Sequence, residues 1–185
     1  MSTTTAIILT LIILVIAAAA WFLFTRRRTA RLRSRFGPEY DHAVHEYGTP
    51  ARAEAALRNR AKRIERLSLR PLTPEDSERF DKRWRELQSR FVDDPAASIH
   101  AADSLICEVM EARGYPMTDF DRRAEDISVE HPQVVQNYRT AHEIALRQEE
   151  EGNATTEDLR HALVCYRDLF DEMLEYHTFG PKTGR

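Results

Sequence analysis

The chain has 185 residues, 31% of them charged, with six glycines and two cysteines. These numbers describe one helical domain able to bury its own core and exclude a disulfide-framed scaffold. The net charge of −3 is a sum of unlike parts: residues 26–70 hold 13 basic and 5 acidic side chains (+8), while residues 71–185 hold 14 and 25 (−11).

The first element is the run Ala6 to Phe24, AIILTLIILVIAAAAWFLF, nineteen residues without a charge. As a helix it spans about 28 Å at roughly 1.5 Å per residue, close to the ~30 Å hydrocarbon thickness of a bilayer. Trp21, Phe22 and Phe24 fall at its end, where an interfacial aromatic belt is expected. Arg26, Arg27, Arg28, Arg31, Arg33 and Arg35 follow, and such a block stays on the cytoplasmic side. The expectation is a single-pass anchor in the plasma (inner) membrane, N-terminus outside and the remaining chain cytoplasmic. Trp21, Arg26, Arg27, Arg28 and Arg31 form its interface residues, and anionic lipids are its neighbours. A cleaved signal peptide is the rival reading; the uncharged residues before the run speak against it.

Phe36-Gly37-Pro38 is a turn signal that separates this helix from a short one over Glu39 to Tyr47. Thr49-Pro50 reads as cap and first position of a basic amphipathic helix carrying Ala53, Leu57, Ala61, Ile64 and Leu67. Thr73-Pro74-Glu75-Asp76 opens the next helix, whose stripe is Phe80, Trp84, Leu87 and Phe91. Asp94-Pro95 starts another, with Ile99, Ala102, Ile106, Val109 and Met110 inward and Gly114 as its stop. Thr118 to Ile127 reads as a short acidic turn of helix over the end of the bundle. His131-Pro132 starts a helix with the face Val135, Tyr138, His142, Ala145 and Leu146, ended by the polar loop from Glu149 to Asn153. Thr155-Thr156-Glu157-Asp158 resembles a capping box and opens the last helix, with Leu159, Leu163, Tyr166, Phe170 and Met173 inward.

No segment alternates with period two, so the fold class is all-α: one transmembrane helix plus an antiparallel bundle of about four long helices. The organisation expected is an anchor over 1–25, a basic stalk and short helix over 26–48, a helical bundle over 49–178 and a disordered tail over 179–185. Cys107 and Cys165 lie within helical patterns and read as reduced thiols.

The strongest metal-ligand spacing is Glu39, His42 and His45 (with Glu46), three and four residues apart on one helix. Di-iron bundles use Glu-x-x-His pairs, but they need two copies, and only one is present. A solvated polar face accounts for the cluster more simply. His142, on an apolar stripe, reads as a half-buried histidine with a hydrogen-bond partner. Tyr115 and Phe120 sit in a stretch read as loop, where exposed aromatics can make a docking site, and His142 is a further docking candidate. Folding back over the bundle end is nevertheless the commoner outcome for such aromatics. The Arg-rich helix after Thr49 could touch nucleic acid, yet an adjacent anionic membrane explains the same charges without one. The chain holds no P-loop, GxGxxG, HExxH, GxSxG or paired-cysteine zinc pattern, so neither an enzyme nor a cofactor is expected.

The segments RFGPEYD (Arg35–Asp41), PLTPED (Pro71–Asp76), RFVDDP (Arg90–Pro95), RGYP (Arg113–Pro116) and HPQVVQNYRTAH (His131–His142) behind an N-terminal anchor resemble a family of small bacterial single-pass membrane proteins. The resemblance covers nearly the whole chain and implies a helical soluble domain, but no assigned activity and no functional residues. In that family an arginine often stands at the position of His42, which weighs against a metal there. The function expected is a tethered interaction or scaffold domain that recruits a protein partner. The alternatives are a metal- or ligand-binding sensor or enzyme with a site in the bundle core, and a structural role on anionic lipids through the Arg collar.

Overall fold

The computed structural model describes residues 3–175; the side chains of 3–10, 25 and 175 and all of 176–185 lie outside the described residues. The tail expected over 179–185 falls there, with the last three residues of the expected bundle. Every regular element among the described residues is a helix: α1 (Thr3–Phe36), α2 (Pro38–Tyr47), α3 (Pro50–Ile64), α4 (Pro74–Arg90), α5 (Pro95–Arg113), α6 (Phe120–Glu130), α7 (Val135–Glu151) and α8 (Thr156–Glu175).

Helix starts follow the cap chemistry. Thr49, Thr73 and Asp94 each accept a hydrogen bond from the backbone N–H three residues on, and each precedes a proline. At α8 the box is reciprocal: Asp158 N donates to Thr155 Oγ1 at 3.1 Å, and Thr155 N to Asp158 Oδ2 at 3.0 Å. Gly37 (φ +49) turns the chain out of α1, and Gly114 (φ +91) ends α5 in the left-handed region. A Cβ on Gly114 would also stand 3.1 Å from the Ser68 carbonyl oxygen.

Helices α3, α4, α5, α7 and α8 are the long ones of the folded part, and the helix contacts fall into two groups that share one core. In the first, α4 packs on α5, α5 on α8 and α8 on α7. The Asn137–Asp168 and Gln148–Ala154 hydrogen bonds show that α7 and α8 run antiparallel. Trp84 and Phe170 stack at 4.6 Å in this group, among the fully buried Phe80, Ile99, Leu105, Ile106 and Met110. In the second, the end of α1, α2, α3 and α6 pack together, and α6 also meets α7.

Three local expectations are corrected. Residues 120–130 make three turns, not one, because Ala124, Ile127 and Val129 give α6 a buried face. Helix α7 begins at Val135, not Pro132, since buried His131 is the C-cap of α6 and Pro132 lies between the two. The inner stripe of α7 is Val135, Tyr138, Ala141 and Ile144, which turns Leu146 outward to 40% exposure.

Helix α1 continues without a break through the Arg block. Leu11 to Phe24 are uncovered, the large apolar side chains being 48–71% exposed. Only its last turns meet the folded helices: Thr29 donates to Glu54 at 2.6 Å, Arg33 to Asp41 at 2.7 Å, and Phe36 is fully buried. Among the described residues no helix is long and apolar enough to cross a membrane; the run counted from Ala6 begins outside the described side chains.

Candidate functional site

The second group of helices buries charge beside its apolar side chains. Glu39, read from sequence as part of a solvated face, has a side chain 1% exposed. Its Oε1 accepts from Arg60 Nη1 at 2.7 Å and from Arg139 Nη2 at 2.9 Å, and its Oε2 accepts from Arg139 Nη1 at 2.7 Å. The Arg139 pair is bidentate, the strong form of the interaction. Arg60, on α3, donates onward to Glu125 of α6 at 3.2 Å and to Glu46 at 3.4 Å. Arg63 donates to Glu125 at 3.0 Å and to Asp126 at 2.7 Å, and Arg122 donates to Glu125 at 3.2 Å. One connected network thus joins α2, α3, α6 and α7.

Burial lowers the pKa of Arg60, and the Glu125 carboxylate, the Tyr47 hydroxyl and the Glu39 carboxylate together outweigh it, so the guanidinium ends above its ordinary range. At Asp126 burial wins over Arg63 and holds the carboxyl above its ordinary range. Asp126 Oδ2 and Arg60 Nε are buried without a hydrogen-bond partner.

Above the network lies a cleft of about 540 Å³ between α2, α3, α6 and α7. His42 and Glu46 line it from α2, Phe120 and Glu125 from α6, and His142 and Leu146 from α7, with Arg60 and Arg139 in the same wall. Phe120 and His142 lie face to face, 3.6 Å between centroids and 9° from parallel, and Phe120 also meets Tyr138 at 4.8 Å. Burial holds the His142 imidazole below its ordinary range, so at pH 7 the ring is neutral. Behind the pair, Arg123 donates to the Thr118 carbonyl at 2.7 Å and to the Tyr138 hydroxyl at 3.4 Å, and Tyr166 donates to Asp103 at 3.0 Å.

The sequence-derived site residues separate cleanly. His42, Phe120 and His142, singled out for different reasons, meet in this cleft. His45 is exposed and does not line it. Glu39 is saturated by two guanidinium groups, so it is not available to a metal alongside His42 and His45. Among the described residues no group of three or more His, Cys, Asp or Glu could hold an ion.

Tyr115 is folded back into the core rather than exposed. It is 3% exposed and its hydroxyl donates to Glu130 at 2.9 Å. It belongs to a second buried polar cluster, in which Arg113 Nη1 is 3.1 Å from His131 Nε2. A guanidinium only donates, so Nε2 carries the lone pair and the proton sits on Nδ1, 3.5 Å from Glu172. Trp21, Arg26, Arg27, Arg28 and Arg31 are exposed, and Arg26 stands over the Phe22 ring at 4.7 Å. Cys107 is half-buried, Cys165 is buried, and both are free thiols.

Sequence reasoning missed Glu39, Arg60 and Asp126 as buried residues, and Arg139 and Glu125 as their partly buried partners. A signal existed at Arg60: Ala53, Leu57, Arg60 and Ile64 fall on one helical stripe, and all four are buried. Comparison of the chain with protein-family models, with curated proteins and with solved structures finds no match in any of the three.

Proposed function

We propose that the chain is a membrane-tethered interaction domain, with α1 as its anchor and the folded helices presenting a docking surface on the cytoplasmic side. The observation that carries this reading is the uncovered apolar half of α1. A run of large side chains about half or more exposed is unstable in water unless something covers it. Counted from Ala6, the run matches a bilayer core, and the arginines behind it match the cytoplasmic interface.

The continuity of α1 supports a specific form of tether. The collar is helical and bonded to the domain through Thr29–Glu54 and Arg33–Asp41. Thr29 stands five residues beyond Phe24, or about 7.5 Å at roughly 1.5 Å per residue. The domain is therefore held close to the surface in one orientation rather than swinging on a flexible linker. The motif resemblance to small bacterial membrane proteins is part of the same proposal. So is the absence of catalysis, which rests on the lack of a catalytic motif.

Cross-linking in the intact cell followed by mass spectrometry tests the recruitment. The expected result is a protein cross-linked to residues of α2, α6 or α7. Cross-links to lipid alone would favour the structural role of the collar instead.

A further inference from the structure

The charges around the cleft do not balance. In the network, Glu39, Glu46, Glu125 and Asp126 face Arg60, Arg63, Arg122 and Arg139, four against four. Three further carboxylates line the cleft: Asp119, Asp121 and Glu143. Asp119 uses Oδ1 to cap α6 through the Arg122 N–H at 3.0 Å. No hydrogen bond or ion pair among the described residues engages the carboxylates of Asp121 or Glu143. Arg123, 6.0 Å from the Phe120 centroid, faces Asp103 behind the cleft. Among the side chains that line the cleft, histidines left out of the count, the excess is three negative charges, five carboxylates against two guanidiniums. These charges stand beside two aromatic rings stacked at 3.6 Å and the exposed apolar side chain of Leu146.

We propose that this cleft docks an arginine-bearing segment of the protein partner, with a guanidinium held by Asp121 and Glu143 beside the Phe120–His142 ring pair. The inference deepens the tethered-domain reading and rests on it for the partner. The chemistry is specific in three respects. A planar cation matches carboxylates at a rim and can stack on an aromatic face, which a compact ammonium does less well. The arginines already in the wall are neutralised by Glu39 and Glu125, so they do not repel a second guanidinium as bare charges would. The volume admits a long side chain with part of its backbone, while Leu146 offers apolar surface to the methylene stem.

The test uses the full chain in nanodiscs of zwitterionic phosphatidylcholine, so that no anionic lipid competes. Fluorescein-labelled hexa-arginine and hexa-glutamate are titrated by fluorescence anisotropy at about 0.15 M salt, where distant charges are screened. Hexa-arginine should bind and hexa-glutamate should not. The double variant Asp121→Asn/Glu143→Gln should weaken hexa-arginine binding about tenfold or more. The equal-charge control Glu75→Gln/Glu78→Gln on α4, away from the cleft, should change it less than about twofold.

Equal losses in both variants, or no binding at all, overturn the proposal. Preference for hexa-glutamate also overturns it, as the wall arginines would then be the recognising groups. Self-association abolished by the cleft variant and by added hexa-arginine would assign the cleft to a second copy and overturn the separate partner. Failure here is distinguishable from failure of the tethered reading. A membrane-bound chain that cross-links to a partner through other helices keeps the tether and loses the pocket. A chain washed off membranes that still binds hexa-arginine keeps the pocket and loses the tether.

Discussion

The two halves of the folded domain share one apolar core and differ in how they bury charge. Around α4, α5 and α8 the interior is mostly apolar, with Trp84, Phe170, Ile99, Leu105, Ile106 and Met110 beside the buried Arg113. Around α2, α3, α6 and the facing side of α7 a chain of guanidinium–carboxylate pairs centred on Glu39 lies beside the buried Phe36, Leu57 and Ile127. An apolar interior tolerates approximate partners of the right volume. A charged one tolerates no missing partner, because a lone buried charge is costly. The cleft, with its unbalanced rim, opens on the second half.

Truncation affects both halves most strongly. Trp84→Ala should cost roughly 3–5 kcal/mol, the usual loss for a buried large aromatic. A urea-unfolding loss below about 1 kcal/mol would place Trp84 outside the core. Glu39→Ala should cost a similar 3–5 kcal/mol by a different route, leaving Arg60 and Arg139 buried and short of a counter-charge.

Conservative changes separate the halves more sharply. Trp84→Phe should stay under about 1.5 kcal/mol, since a benzene ring still fills most of the site and the indole N–H has no hydrogen-bond partner to lose. Glu39→Gln, nearly isosteric, should still cost about 1.5–3 kcal/mol, the worth of a hydrogen bond to a charged group. Equal costs for these two variants would erase the distinction between the halves. Smaller again, Asp94→Ala removes the α5 cap and should cost about 1 kcal/mol in the same assay.

The smallest effect concerns pH. The folded pKa of His142 lies below the ordinary 6.5 because burial disfavours the imidazolium. Between that folded value and 6.5 the unfolded chain binds more protons, so stability falls as pH drops through about 6.5. It levels off below the folded pKa, and above 6.5 His142 adds no slope. His142→Phe, which preserves a ring against Phe120, should reduce the stability lost between pH 7.5 and 5.5; an unchanged loss would mean that His142 titrates as it does in the unfolded chain.

The apolar half is legible in the amino-acid sequence. Phe80, Trp84 and Leu87, or Ile99, Ala102 and Ile106, recur at helical spacing, and prolines behind Thr73 and Asp94 mark the starts. The charged half is not, because periodicity sorts residues by hydrophobicity and files Glu39, Arg60 and Arg139 with the surface. Their burial depends on partners 21 and 100 residues apart in sequence, which no local pattern reports. The cleft is legible only in pieces. His42 stands out for spacing, Phe120 for a supposed loop that is the first turn of α6, and His142 for its apolar neighbours. Their meeting is a property of the packing of α2, α6 and α7. Tyr115 misleads for the converse reason: its segment looks like an exposed loop, but Arg113, Glu130 and His131 draw it inward.

The tether is tested most directly by alkaline carbonate extraction of membranes from cells making the full chain. The protein should stay in the membrane pellet. The double variant Leu14→Arg/Ile16→Arg, placing two charges costing about 2.5–3.5 kcal/mol each near the helix centre, should release it to the supernatant with its domain folded. A full-length, unaltered chain recovered in the supernatant would contradict membrane anchoring by α1.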